Sequence, residues 1–415
     1  MTVKSNLAEH ITGIPWVNLP QLYQDAITVT HRLGIASVWI DSLCILQDSH
    51  IDWLSESQRM GDVYQHARLT IAASHAADSS QSLFFPHEAP PRIVELPHVT
   101  PSLSSQHASN IFASVLPHNY DSISPESSPL ATRAWATQEW LLSRRMLFYT
   151  AGSLIWSCKT TTQRETGASF HSTARNARWK NLVEKYSARK LTQQTDRLIA
   201  LEGIRSEIAK TRPNDVYCCG LWKNSMPDQL LWSCLETAER EKCELEVPSW
   251  SWASTRSSVR YLEQFGAKNA CQRITLFASS QTLIIKSQIR QIKRMLPYSH
   301  LDSHSAFLVA ARPYPPHMTP TEMMFFPTDD EMERGSSWCV LDEGKVPEGA
   351  VWCLRLMSSV VKNPRQGVKK MVKEWVLILT KVEQPEGYVR VGVGSIERQD
   401  KSWFGGVTVS DIVLQ

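Results

Sequence analysis

Apolar residues recur along the first eighty positions in two different rhythms. Leu22, Ala26, Val29 and Leu33 fall three or four apart, the period of one helix face. Pro20 suits the first turn of that helix and Gly34 stops it. Ile35 to Ile40 is then a short unbroken run rich in β-branched and aromatic residues, which predicts a strand covered on both faces. The helical period resumes from Ile51 to Ala67, and Leu69 to Ala73 predicts a second covered strand. Helices and strands in alternation imply an α/β fold with a parallel sheet flanked by helices. Ligands of such sheets bind beyond the carboxyl ends of the strands, here near Asp41 and Ser74.

The pattern changes twice more. Residues 86–130 are rich in Pro, Ser and His and read as long loops, with short strands near Ile93–Leu96 and Ile111–Leu116. Thr132 to Leu142 predicts a short helix, and Met146–Tyr149 with Leu154–Cys158 a strand pair around Ala151-Gly152. A mostly helical stretch is expected from Ala174 to Ala238. Beyond Pro248 the chain alternates, with Gly and Pro punctuation. Strands are expected at Arg273–Ala278, Leu283–Ser287, Ala350–Leu356, Glu374–Lys381 and Tyr388–Ile396, in an antiparallel sheet or small sandwich. Three regions follow: 1–160 α/β, 161–247 mostly helical, 248–415 β-rich.

Composition narrows the class. A balance of 44 basic and 41 acidic residues gives a charge of +3, too small to argue for nucleic acid or a membrane surface. No stretch approaches the roughly 20 apolar residues of a membrane span. Residues 1–14 lack the apolar core of a signal peptide. Nine Cys, an odd number in mostly apolar surroundings, suit reduced, buried thiols and a cytoplasmic chain. The fifteen Trp read as large core anchors. The His residues show no ligand spacing, Cys218-Cys219 is vicinal, and Gly-rich phosphate loops are lacking, so neither metal nor cofactor is expected.

Candidate chemistry lies on two helices. On the first, Trp53, Met60, Val63, Tyr64 and Ala67 share an arc of about 100°, and Glu56 falls inside it. A carboxylate on an apolar stripe must be paired, protonated or facing a cavity. Glu56 is thus either a catalytic or ligand-binding acid, or a structural carboxylate tied to Arg59 or a backbone donor. Asp41, at the end of a strand, either binds a ligand or caps the following turn. Cys44 reads as packing. A Ser74, His75, Asp78 triad would need geometry that adjacency does not supply. On the second helix Trp135, Gln138, Glu139 and Leu142 share a face next to Arg133, which reads foremost as a clamp onto the sheet.

Taken in order, these blocks resemble the HET domain, the heterokaryon-incompatibility module of filamentous fungi. The resemblance rests on Leu19-Pro20, Gln24-Asp25-Ala26, Leu33-Gly34, and Trp39-Ile40-Asp41-Ser42-Leu43-Cys44-Ile45 with Gln47-Asp48. It continues through Asp52-Trp53 with Glu56, Met60 and Tyr64, Leu69-Thr70-Ile71-Ala72-Ala73, and Arg133-Ala134-Trp135 with Gln138-Glu139. Asp196-Arg197-Leu198, Gly220-Leu221-Trp222 and Pro248-Ser249-Trp250-Ser251-Trp252-Ala253 resemble the region that follows such a domain. The resemblance implies a cytoplasmic non-self recognition and cell-death effector, triggered by a protein partner or by self-association. HET domains are similar in fold to TIR domains, some of which cleave NAD with a helix-borne glutamate. By that analogy Glu56 would be catalytic, Asp41, Ser42 and Trp53 would line a nucleotide site, and NAD would be a substrate. Trp39, Cys44, Met60, Tyr64, Arg133, Trp135, Gln138 and Glu139 would be structural. The family's opening Leu-Ser-Tyr-x-Trp-Gly strand has no counterpart before Leu19, so the sheet is expected to lack its first strand or to fill the gap otherwise. A catalytically inactive interaction protein is the competing expectation.

Overall fold

The computed structural model describes residues 1–84, 93–100, 107–114, 124–165, 169–170, 178–235, 245–292, 294–297, 322–326, 336–343, 346–362, 370–399 and 401–415. Two compact units emerge, Met1–Ala177 with Ile199–Glu207, and Arg178–Leu198 with Ile208–Gln415.

In the first unit, helix α1 (Gln21–Arg32) ends where Gly34 takes φ +67°, the left-handed turn glycine adopts without strain. Helix α2 (His50–His66) starts at Ser49, whose side chain accepts from the Asp52 amide. Strand β1 (Thr70–Ala72) follows it, and helix α3 (Ala136–Leu142) precedes β2 (Arg145–Tyr149). With β3 (Leu154–Cys158), β4 (Thr162–Arg164) and β5 (Ser169–Phe170) they form a sheet in the order β1-β2-β3-β4-β5. Ala72, Met146, Phe148 and Ile155 close its core with Trp140, whose ring lies 5.0 Å from that of Phe148. A separate two-stranded ladder pairs Ile93–Thr100 with His107–Ser114. Val115 and Leu116, at the end of one expected strand, lie outside the described residues.

The sheet departs from expectation in one decisive place. Only β1 and β2 run parallel, Thr70 opposite Met146, and the other ladders are antiparallel. The sheet is therefore mixed. Ile35 to Ile40, expected as a covered strand, forms none, and Ala36, Ser37 and Val38 are exposed. A strand needs a neighbour to take its backbone hydrogen bonds. Among the described residues this run has no ladder partner.

The second unit is built around β strands. Helix α4 (Trp179–Ser187) leads into a tight hairpin of β6 (Tyr217–Cys218) and β7 (Leu221–Trp222), so the expected helical stretch carries strands as well. Residues 174–177 and 236–238 of that stretch lie outside the described residues. Gly220 turns the hairpin at φ +89°, and a Cβ there would lie 2.4 Å from Trp252 Nε1. The Gly220 carbonyl accepts from the indoles of Trp179 at 2.9 Å and Trp252 at 3.0 Å. That clamp gives Gly220 and Trp252 a structural reason for their types. Strands β8 (Trp232–Cys234) and β9 (Val259–Tyr261) form a second short ladder.

The large sheet takes β10 (Thr282–Gln291), β11 (Ser336–Leu341), β12 (Val351–Lys362), β13 (Lys370–Val382), β14 (Gly387–Gln399) and β15 (Val409–Leu414). The ladders β12-β10-β15-β14-β13-β12 return on themselves, the bridge Tyr388–Leu414 closing the ring. The antiparallel β-rich region was legible, and its closure was not. A buried cluster packed on this sheet holds Cys339, Cys353, Val376, Ile378, Ile396, Trp403 and Phe404. Arg390 is fully buried and satisfied: it meets Asp342 at 3.2 Å, donates to the carbonyls of Leu230 and Trp232, and stacks on the Trp232 ring.

Candidate functional site

In the first unit, the space beside β1 is a cavity of about 840 Å³. One wall is Leu69–Ser74, the other Val38–Asp41, and α1 contributes Leu22, Ala26 and Leu33. The loop after β1 is fastened to α1 by Asp25, which accepts from Ser82 Oγ at 2.6 Å, the Leu83 amide at 2.8 Å and Gln21 Nε2 at 2.8 Å. Asp25 is buried, and this clip is a structural use of the Gln24-Asp25-Ala26 block.

Four of the polar side chains that line the cavity act on one another: Asp41, Tyr64 from α2, Arg133, and Glu139 from α3. Burial pushes the Tyr64 phenol well above the usual tyrosine range. The Glu139 and Asp41 carboxylates push the same way, and the Arg133 guanidinium opposes them. The phenol therefore stays protonated and is hydrogen-bonded to Glu139. Trp39 lies edge-on to the same ring, centroids 5.8 Å apart. Asp41 Oδ1 accepts from the Ser42 amide at 2.7 Å, and Ser42 Oγ meets Tyr23 Oη at 2.7 Å. The structure thus joins parts of two clusters that are well separated in sequence, Asp41 and Tyr64 with Arg133 and Glu139.

Other expected residues lie elsewhere. Glu56 faces Arg59, Oε1 to Nη1 2.7 Å, one turn along α2, and takes no part in the cavity wall. Trp53 packs edge-on against Trp135, 6.4 Å between centroids, and stacks on His50. Met60 is buried, as its stripe position implies. Cys44 is exposed, a correction to its reading as a packed thiol: the short helix Asp41–Cys44 turns it outward. Gln138 is buried and accepts from the Gly203 amide at 3.0 Å. A Cβ on Gly61 would come within 3.0 Å of the Gly203 backbone, so α2, α3 and the first turn of the helix Glu202–Lys210 meet at a glycine contact. Gln138 was expected to clamp onto the sheet, and its hydrogen bond goes instead to the helix that carries Gly203. His75 is held by the carbonyls of Tyr149 and Ser82, each at 3.0 Å, and Asp78 accepts from Ser80, so the adjacent Ser74, His75 and Asp78 make no triad.

Two wall residues carry a signal that the sequence did not give. Ser74 Oγ and Trp140 Nε1 are buried and have no hydrogen-bond partner. Ser74 sits where a strand end was expected, yet only the fold reveals that its hydroxyl is unsatisfied. No group of three or more His, Cys, Asp or Glu among the described residues could hold a metal, and no described helix is long and apolar enough to cross a membrane.

Residues 2–139 match the family model described as Heterokaryon incompatibility protein (HET). This segment is a HET domain. Its match spans α1, α2, β1 and most of α3, and so includes nearly all of the cavity wall. Trp140 of α3 with Met146 and Phe148 of β2, just beyond the matched residues, complete that wall. No curated protein and no solved structure matches the chain.

Proposed function

We propose that the protein acts in heterokaryon incompatibility, as a cytoplasmic non-self recognition and cell-death effector of a filamentous fungus. The HET domain would do so by binding a protein partner. The observation that carries this reading is the cavity beside β1. It is large and mostly apolar, it sits within the family-matched segment, and its polar cluster holds a neutral phenol between two carboxylates and an arginine. Such a wall is equipped to recognise, and its acid groups already have partners. TIR-like cleavage of NAD by Glu56 draws less from the geometry, because that carboxylate is engaged with Arg59 away from the cavity.

Induced expression in a filamentous host tests the reading, with viability and cellular NAD followed together. The expected result is loss of viability in the fused or expressing cells, abolished by Ala26→Trp, which fills the cavity. Death accompanied by NAD loss, both absent in Glu56→Ala, would install the hydrolase in its place. Full viability with abundant folded protein in every pairing would refute the effector reading.

A further inference from the structure

Strand β1 is an edge that nothing described covers. It pairs with β2 along one side only, and its other side faces the cavity. Proteins blunt such edges with charge, proline, bulges or an overlying segment, because free N–H and C=O groups template further pairing. The edge Leu69-Thr70-Ile71-Ala72-Ala73-Ser74 has no charge and no proline. Across the cavity runs Val38-Trp39-Ile40, also uncharged and also without a ladder partner among the described residues.

The unsatisfied groups in the wall sharpen the point. Ser74 is 1% exposed and Trp140 7%, both residues line the cavity, and Ser74 Oγ and Trp140 Nε1 have no hydrogen-bond partner. Buried polar groups left without partners are costly, so their presence beside a cavity points to an occupant that supplies hydrogen bonds. Orphaned indoles also occur at Trp222, Trp250 and Trp403, but these do not line the cavity. The coincidence of orphan, cavity and open edge is what carries weight.

The chemistry of the occupant follows from the wall. A phosphate-bearing ligand would meet three carboxylates, Asp41, Asp78 and Glu139, against the two guanidiniums of Arg68 and Arg133, with no Gly-rich loop of amides to receive it. A purely apolar ligand would leave the β1 edge, Ser74 and Trp140 unsatisfied. A polypeptide strand offers alternating donors and acceptors with a rise of about 3.3 Å per residue, the repeat of the edge it would meet. We propose that the cleft takes an uncharged extended segment of a partner polypeptide, about five or six residues long, as an added strand along β1. Backbone hydrogen bonds would supply affinity, and alternate side chains would pack on α1 and on Trp140. This inference deepens the binding reading of the HET domain, on which it rests.

The purified full chain is tested against a panel of capped hexapeptides built from Val, Ile, Thr, Ala and Ser, with NAD and ATP as small-ligand controls. Binding is followed by fluorescence anisotropy and by thermal shift. Several panel peptides are expected to bind, and N-methylation of alternate amides should weaken them about tenfold or more, the effect of losing two or three backbone hydrogen bonds. Ala26→Trp should weaken binding by a similar factor with the melting transition kept, and Ser74→Ala by less. Ile51→Gln, at an exposed position of α2 outside the wall, should change nothing. No binding by any panel peptide up to about 1 mM would overturn the proposal. Equal binding of the N-methylated peptides would overturn it too, as would NAD or ATP binding that Ala26→Trp abolishes. Because the assay uses no cells, its failure is distinct from failure of the effector reading, which viability decides.

Discussion

The β-ring of the second unit and the helix-flanked sheet of the first solve the same problem in opposite ways. Both must dispose of strand edges and buried polar groups. In the ring, β10 and β15 join the ladders into a circuit, and two buried charges on its strands are answered: Arg390 by Asp342, and Glu374 by Arg355 at 2.8 Å, Ser402 Oγ at 2.6 Å and the Trp403 amide at 3.0 Å. In the first unit β1 ends the sheet against a cavity, with Ser74 and Trp140 unanswered. The contrast teaches where to look for function. A closed circuit leaves no free strand edge for a ligand to pair with, whereas an open edge offers one.

The comparison can be broken most severely at Arg390. Arg390→Met should destabilise the ring by roughly 3–5 kcal/mol, because Asp342 would remain buried and charged without its partner. Chemical denaturation followed by Trp fluorescence measures this. The double variant Arg390→Met with Asp342→Leu should recover much of the loss, which separates a stranded charge from simple lost packing.

A second pair of substitutions sharpens the contrast through its sign. Ala26→Leu adds methylenes facing the cavity and should stabilise the first unit by about 1 kcal/mol, since burying each methylene is worth about 0.8 kcal/mol. Cys353→Leu adds bulk to a fully buried position of the ring and should destabilise it by about 1–3 kcal/mol. Shifts of the denaturation midpoint in opposite directions are the expected reading. Stabilisation of both would mean that the ring also holds spare room.

The smallest effect concerns thiol reactivity. Hydrogen bonds from Thr160 pull Cys158 down to about 7, whereas burial pushes the Cys339 and Cys353 thiols up. Alkylation of Cys158 in the native protein should therefore rise with pH through about 7 and then level off, as the thiolate fraction saturates. Cys339 and Cys353 should stay unlabelled throughout that range. Peptide mass mapping after brief iodoacetamide treatment reads both outcomes.

Periodicity made α1, α2, α3, β2, β3 and several ring strands legible, because each buries one face in a regular rhythm. It failed at Ile35–Ile40, where an apolar run rich in β-branched residues satisfies the local preferences of a strand but has no described neighbour to pair with. Local sequence states a propensity; pairing is a tertiary fact. The short strands β11 and β15 were missed because Ser336-Ser337 and Asp411 interrupt the apolar pattern there. For the site, Asp41, Tyr64, Arg133 and Glu139 were singled out in separate blocks, and only the fold brings them to one cavity. Glu56 stood out on the helical wheel for an equally sound reason, yet Arg59, three residues on, lies within reach of it. Ser74 was legible only as a residue at a strand end and Trp140 not at all, since whether a polar atom is satisfied depends on partners far away in the chain.

The claim that most needs testing is that the outer edge of β1 is open. Hydrogen–deuterium exchange on the full chain, resolved to single peptides, addresses it directly. The account predicts that amides of Thr70–Ala73 exchange by local opening, at least about tenfold faster than those of Val376–Leu379, which lie in β13 between two ladders. Equal protection of the two stretches would show that the edge is already covered, and would contradict the account.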